Sequence, residues 1–239
     1  MVGQEIWGLI PAAGKGERLR PLTDEVPKCL VEVNGRTLLE TAILTLKAMG
    51  VQKIAIAVSY MKEKIIEFIE SKDFGIDIQF AYPDKLLGLA YSVYSAKDIV
   101  SGTVVMMLPD NIYTEDCKYA LDKHISEGAL VSLIVEEGDP ENRYETIKLE
   151  GDMITDIVEK ASFSYGWRGT AIYIFESGFF RYFDELEVSI RGETEFQDTI
   201  IQAVKDGEKV LGVKIKGRRY DITEPGDIAK AEAAIKSKE

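Results

Sequence analysis

Three apolar runs punctuate the first half of the chain: Ile6–Ala12 (IWGLIPA), Lys53–Val58 (KIAIAV) and 103–108 (TVVMML). Runs of this kind, rich in branched residues and lacking polar alternation, belong to strands buried on both faces, the environment of a parallel sheet covered by helices. The intervening segments have helical spacing. Thr37 can cap a helix reaching Met49, in which Leu38, Leu39, Ala42, Ile43 and Leu46 recur near period 3.6 and Gly50 marks the stop. Residues 61–71 carry Ile65, Ile66 and Ile69 on one side, 76–82 read as a strand, and 88–98 and 115–127 read as helices. The predicted fold class is α/β, a Rossmann-like three-layer sandwich with a mixed, mainly parallel central sheet.

Beyond residue 128 the pattern changes. Residues 129–135, 146–149, 153–158 and 170–175 are strand-like, with a turn at Glu150-Gly151-Asp152, and helices return at 195–205 and Pro225–Lys236, the latter opening on a proline. No internal repeat or low-complexity linker divides the chain, so residues 1–239 are expected to form a single domain.

Composition narrows the chemistry. His124 is the only histidine, which excludes zinc sites built on several imidazoles and routes any Ser/His or Cys/His pair through one residue. On an amphipathic helix it reads as structural. Cys29 and Cys117 are too few for a disulfide framework, and Cys29 reads as a packing residue. With 29 basic and 41 acidic residues the net charge is -12, which repels a phosphate backbone in the absence of a segregated basic face, so no nucleic-acid partner is expected. No apolar run approaches the roughly 20 residues of a membrane span, and the N-terminus lacks the features of a secretory signal. The expected location is cytoplasmic, with no membrane partner.

The most informative segment follows the first strand, where open α/β sheets present their ligands: residues 11–30, PAAGKGERLRPLTDEVPKCL. Ala12, Ala13, Gly14 and Gly16 let the backbone approach a ligand, and successive N–H groups in such a loop form an anion-binding nest. Lys15, Arg18, Arg20 and Lys28 stand there among Glu17, Asp24 and Glu25. Two familiar phosphate loops do not fit: GxxxxGK[ST] is absent, and Leu19 occupies the third glycine position of a dinucleotide fingerprint.

The whole segment, GxGxRLxPxTxxxPK, formed by Gly14, Gly16, Arg18, Leu19, Pro21, Thr23, Pro27 and Lys28, resembles the signature of the sugar-phosphate nucleotidyltransferases, with Glu17 where that family usually has Ser or Thr. The resemblance implies attack by a sugar 1-phosphate on the α-phosphorus of a nucleoside triphosphate, giving an NDP-sugar and pyrophosphate. It implies that Arg18 stabilises the leaving pyrophosphate, Lys28 bridges the phosphates, and Mg²⁺ is the cofactor. Asp110, directly after a strand, stands where the family keeps its first metal aspartate, and Asp221 resembles the second, although Thr223 and Glu224 replace the Gly and Thr of D-I-G-T-P. Ala12, Ala13, Gly14, Lys15, Gly16, Tyr82 and Gly88 would bind the nucleotide. Residues 1–128 would form the nucleotide-binding half and 129–239 the acceptor-binding half.

For the acceptor, Glu159-Lys160 resembles the family's E-K pair, glutamate to sugar hydroxyls and lysine to the sugar phosphate. Thr170 stands near its N-x-G-[IV]-Y segment and Arg143-Tyr144-Glu145-Thr146 near its Y-G-V segment, while Glu193 and Asp198 match its acidic pair loosely. The expected partners are thus a nucleoside triphosphate and a sugar or polyol phosphate; self-association is compatible with the sequence and not fixed by it. The chain ends about where the catalytic unit would, so the hexapeptide-repeat acetyltransferase of some relatives is expected to be missing. Because the acceptor motifs are the altered ones, a cytidylyltransferase for a non-sugar alcohol phosphate is the alternative enzyme. A non-catalytic nucleotide-sugar-binding regulator is the alternative of another class, and a dinucleotide oxidoreductase a distant third. The sequence selects neither the base nor the acceptor.

Overall fold

The computed structural model describes residues 5–85, 87–138, 146–158, 166–184 and 194–236. Its centre is a nine-stranded sheet built from β1 (Ile6–Ala12), β4 (Lys53–Val58), β5 (Asp77–Ala81), β6 (Thr103–Met107), β8 (Val131–Glu137), β9 (Thr146–Glu150), β10 (Met153–Val158), β11 (Trp167–Glu176) and β12 (Val210–Lys214). The order is β5-β4-β1-β6-β11-β8-β12-β10-β9, so strands from both sides of residue 128 share it. Two short ladders stand apart: β2 (Glu32–Val33) with β3 (Arg36–Thr37), and β7 (Asn111–Tyr113) with β13 (Arg219–Asp221).

The sheet is mixed. The pairings β5–β4, β4–β1 and β1–β6 are parallel, as the apolar runs predict. In the second half only β8–β12 is parallel; β6–β11, β11–β8, β12–β10 and β10–β9 are antiparallel, so a mainly parallel sheet describes the first half alone. The reason lies in the connections. Short hairpins such as 151–152 force neighbours to run in opposite directions, whereas a parallel pair requires a long crossover.

Period-2 alternation divides the apolar residues between the two faces. Leu9 of β1 and Met106 of β6 face one way, with Phe175, Phe179 and Phe196, while their neighbours Ile10 and Met107 face the other. The first face is covered by α3 (Leu89–Tyr94), the 3-10 helix Ser177–Phe183 and α5 (Phe196–Lys205). The second is covered by α1 (Leu38–Ala48), α2 (Lys62–Glu70) and α4 (Lys118–Glu127). In α1 the Thr37 hydroxyl accepts the Glu40 N–H at 3.1 Å, and Leu38, Leu39, Ala42, Ile43 and Leu46 are all buried. The last helix, α6 (Pro225–Lys236), begins at the predicted proline.

Several elements are shorter than their sequence patterns. Residues 88–98 are α-helical only over α3, and α4 starts at Lys118 rather than at 115, because residues 114–116 pack against the segment that leads into β13. His124 is buried in α4, with Nδ1 2.8 Å from Ser132 Oγ and Nε2 3.2 Å from Glu176 Oε1, which ties the helix to β8 and β11. Among the described residues no helix is long and apolar enough to cross a membrane.

Candidate active site

The carboxyl ends of β1, β5 and β6 open onto one cleft of about 640 Å³. Ala13, Gly14, Lys15, Gly16, Arg18 and Lys28 form its wall after β1; Pro83, Lys85 and Gly88 follow β5; Asp110 follows β6, and Thr223 closes one side. Three parallel strands thus deliver three loops to one edge, the place where such sheets bind ligands. A larger groove of about 1160 Å³ lies between the β2–β3 turn, residues 112–116 and α6. It holds none of the loop cations, and its acids Glu115, Asp116 and Glu232 outnumber Arg36, so an anionic substrate belongs in the smaller cleft.

The phosphate-type loop is built on close contacts. Gly16 has φ +66°, a left-handed conformation, and a Cβ there would lie 2.7 Å from Cβ of Lys28. Only glycine lets the two segments approach this closely. The buried Thr23 hydroxyl donates to the Gly16 carbonyl at 2.8 Å and fixes the turn. Lys28 is thereby aimed at Asp110, with Nζ 2.6 Å from Oδ2. Cys29, its neighbour, is buried and free, and burial pushes its thiol up to about 12, which suits packing and not nucleophilic chemistry.

The β7–β13 ladder sets the backbones of Asp110 and Asp221 near each other, but only Asp110 lines the cleft; the Asp221 side chain is 47% exposed. Asn111 pairs with Asp221, and the Ile222 N–H donates to the Asp110 carbonyl at 2.8 Å. The side chains are supported by a relay that no sequence motif announces. Asn111 Nδ2 donates to Asp110 Oδ1 at 2.6 Å, and Arg219 Nη1 donates to Asn111 Oδ1 at 2.6 Å and lies 3.6 Å from Asp221 Oδ2. Arg219 is anchored in turn by Glu136 at 2.8 Å, which also holds Arg168 at 2.8 Å. Burial works against the charge of Arg219, but the Glu136 carboxylate more than offsets it and raises its pKa. The relay therefore reads Glu136, Arg219, Asn111, Asp110, Lys28.

Other predicted positions fall elsewhere. Ala12 is buried at the end of β1 and supports the loop from below. Tyr82 is exposed beside the cleft, its ring 5.5 Å from Lys62 Nζ, and Pro83 rather than Tyr82 forms the wall. Thr170 does not reach the cleft: it is fully buried, its hydroxyl donates to the Ile134 carbonyl at 3.0 Å, and its own carbonyl accepts the Tyr113 hydroxyl. An irregularity in β11, with Ala171 at φ +73°, turns the chain inward there. Asp198 lies in the first turn of α5, away from the cleft. Glu159, Lys160, Arg143, Tyr144, Glu145 and Glu193 lie outside the described residues. Glu136, Asn111 and Arg219 were not predictable as a group, since Glu136 and Arg219 are 83 positions apart.

Comparison with known proteins identifies the family. Residues 7–238 match the family described as Nucleotidyl transferase. The chain is 30% identical over 231 residues to the UTP–glucose-1-phosphate uridylyltransferase AglF of Haloferax volcanii, covering 95% of each protein. It is 30% identical over 224 residues to the bifunctional protein GlmU of Methanocaldococcus jannaschii, covering 93% of this chain but 52% of that one. It thus spans nearly all of AglF and about half of GlmU. A UDP-glucose pyrophosphorylase solved with UDP-glucose shares the fold, with a TM-score of 0.87 at 19% identity and coverage of 98% of this chain and 100% of that one. A family match running from the first strand to the last helix, over a cleft that holds the signature loop, places this chain in the nucleotidyl transferase family.

Proposed function

We propose that the chain transfers a nucleoside monophosphate from a nucleoside triphosphate to a sugar 1-phosphate, releasing pyrophosphate. The observation that carries this reading is the meeting of Arg18, Lys28 and Asp110 in one cleft at the strand ends, with Lys28 Nζ 2.6 Å from Asp110 Oδ2. The named activity of AglF supports it and makes UTP with glucose 1-phosphate the first pair to test.

The chemistry asks little of the protein in proton transfer. A phosphate monoester with its second pKa near ~6 is largely dianionic at pH 7 and attacks the α-phosphorus without a base. The bond to the β-phosphate breaks, and negative charge accumulates on the departing pyrophosphate. Catalysis is then positioning plus charge stabilisation. The N–H groups of residues 14–16 hold the phosphates, Arg18 and Lys15 offset the charge on the leaving group, and Lys28 moves between Asp110 and the phosphates. The loop beginning at Pro83 and Gly88 receives the ribose and base. Glu159 and Lys160 take the acceptor, as the family resemblance implies.

The residues present fit Mg²⁺. Asp110, in the cleft just before β7, and Asp221, in β13, offer hard carboxylate oxygens, and among the described residues no cluster of three ligating side chains forms a closed cage. Magnesium typically takes one or two carboxylates and completes its shell with substrate phosphate and water. When bound, the ion would neutralise charge shared by the attacking and leaving oxygens. We further read residues 1–128 and 129–239 as the nucleotide and acceptor halves of one domain, and the two free, buried cysteines as suited to a reducing cytoplasm.

Pyrophosphate release tests the proposal: each common nucleoside triphosphate is mixed with Mg²⁺ and a panel of phosphates that includes glucose 1-phosphate. Release is expected with at least one sugar 1-phosphate. Silence with every sugar phosphate, or turnover confined to CTP and a non-sugar alcohol phosphate, would overturn it.

A further inference from the structure

Ser92 lies in α3, one helical turn beyond Gly88, and both residues line the cleft. It is 6% exposed, and its Oγ has no hydrogen-bond partner among the described residues. That is an unusual condition for a buried hydroxyl. In a helix, serine ordinarily returns its hydroxyl to a carbonyl three or four residues back. Ser95 does so, donating to the Ser92 carbonyl at 2.7 Å, whereas the Gly88 carbonyl receives only the Ser92 backbone N–H, at 3.3 Å. The surrounding backbone is well fixed: Ala90 N–H donates to the Thr194 carbonyl at 3.3 Å, and the Thr194 hydroxyl donates to the Leu87 carbonyl at 2.8 Å. In this rotamer the Ser92 Oγ is buried and unpaired, and a turn of χ1 would bring it to the polar atom of a ligand in the cleft.

The geometry points to Ser92 as a nucleotide-positioning residue, whose hydroxyl completes its hydrogen bonding on the nucleoside part of the bound triphosphate. The inference rests on the proposed nucleotidyl transfer, which assigns this cleft to a nucleoside triphosphate. That reading gives the loop from Pro83 to Gly88 to base and ribose, and Ser92 follows Gly88 by one helical turn on the same wall. A hydroxyl both donates and accepts, so it can pair with a ribose hydroxyl or with a base edge. This makes the Ser92 hydroxyl a group that is unpaired in the free protein and paired in the complex. A hydroxyl that served only the fold would behave in the opposite way.

Ser92→Ala separates these roles. The intact protein is titrated calorimetrically with UTP, dTTP, CTP, ATP and GTP in the presence of Mg²⁺, and thermal unfolding is followed without ligand. The variant is expected to bind the preferred nucleotide about 5- to 20-fold more weakly, with KM for that nucleotide raised and kcat nearly unchanged, while its ligand-free Tm stays equal or rises by about 2 °C. Comparison of the preferred ribonucleotide with its 2′-deoxy form identifies the contact. Loss of discrimination in Ser92→Ala assigns it to the 2′-hydroxyl, and equal weakening of both assigns it to the base or the rest of the sugar. Wild-type affinity in the variant, or a fall in Tm with unchanged binding, overturns the inference and leaves the transferase reading standing. Absence of binding by the wild type to all five overturns both.

Discussion

Lys28 and Asp110 form an ion pair of 2.6 Å between side chains that are 18% and 25% exposed, across 82 positions of sequence. Both residues line the cleft at the strand ends. Lys28→Met should reduce kcat by about 10²- to 10³-fold, the scale of removing one charge-stabilising group. It should also cost about 1 kcal/mol of stability, because Asp110 retains Asn111 as a partner. Steady-state kinetics and urea denaturation of the variant check both; a kcat within threefold of wild type would remove Lys28 from the chemistry.

Arg18 lines the same cleft and is expected to act on the departing pyrophosphate. Arg18→Ala should therefore lower kcat by roughly 10² or more while raising the nucleotide Kd only a few-fold, because its contribution grows as charge develops. Equal losses in both would mark it as a plain binding residue and favour a nucleotide-sugar sensor.

Gly16→Ala tests the close approach behind Lys28. The added methyl meets Lys28 Cβ at 2.7 Å and sits at φ +66°. A left-handed L-residue costs about 1–2 kcal/mol, and the displaced lysine should lower activity by more than stability alone explains. Denaturation paired with kcat at a temperature well below Tm distinguishes the two losses.

Arg219→Met removes the centre of the relay. Arg219 is 10% exposed and Glu136 17%, so the variant leaves a largely buried carboxylate with Arg168 as its remaining cation. Losing one partner of such a group should cost about 2–3 kcal/mol. Asn111 would also lose its anchor, so the apparent Mg²⁺ requirement should rise while KM for the sugar phosphate changes little. A magnesium titration of initial rates decides whether the relay reaches the site.

Glu176 supplies a pH signature remote from the cleft. Its hydrogen bond with His124, aided by Thr103 and opposed by burial, holds its carboxyl below the usual carboxylate range. A depressed folded pKa means stability that is present above the unfolded value and lost as pH falls through the folded one. Wild-type Tm should accordingly drop from about pH 5 downward, and Glu176→Gln should flatten that slope. Parallel acid melts of the two proteins give the comparison.

The loop after β1 that lines the cleft was legible because its residues are local in sequence. The residues of GxGxRLxPxTxxxPK are adjacent in sequence, and the continuous apolar runs of β1, β4 and β6 have one structural solution. The β7–β13 ladder was not legible, since strands of three residues carry no period and Gly212 interrupts the run that becomes β12. Arg219 was missed for a different reason. Its meaning lies in Glu136 and Asn111, which reach it only through the completed sheet, and no spacing rule encodes that. Thr170 illustrates the converse, a position chosen by resemblance whose hydroxyl the fold spends on Ile134.

The ladder between β7 and β13 joins segments more than a hundred positions apart, and β12 threads between β8 and β10. A nascent chain emerging from the ribosome would hold the glycine-rich turn early, yet it would possess only one of its two aspartates until the last helix was being made. Shortened translation products that stop before β13 would therefore lack Arg219 and the support that it passes through Asn111 to Asp110.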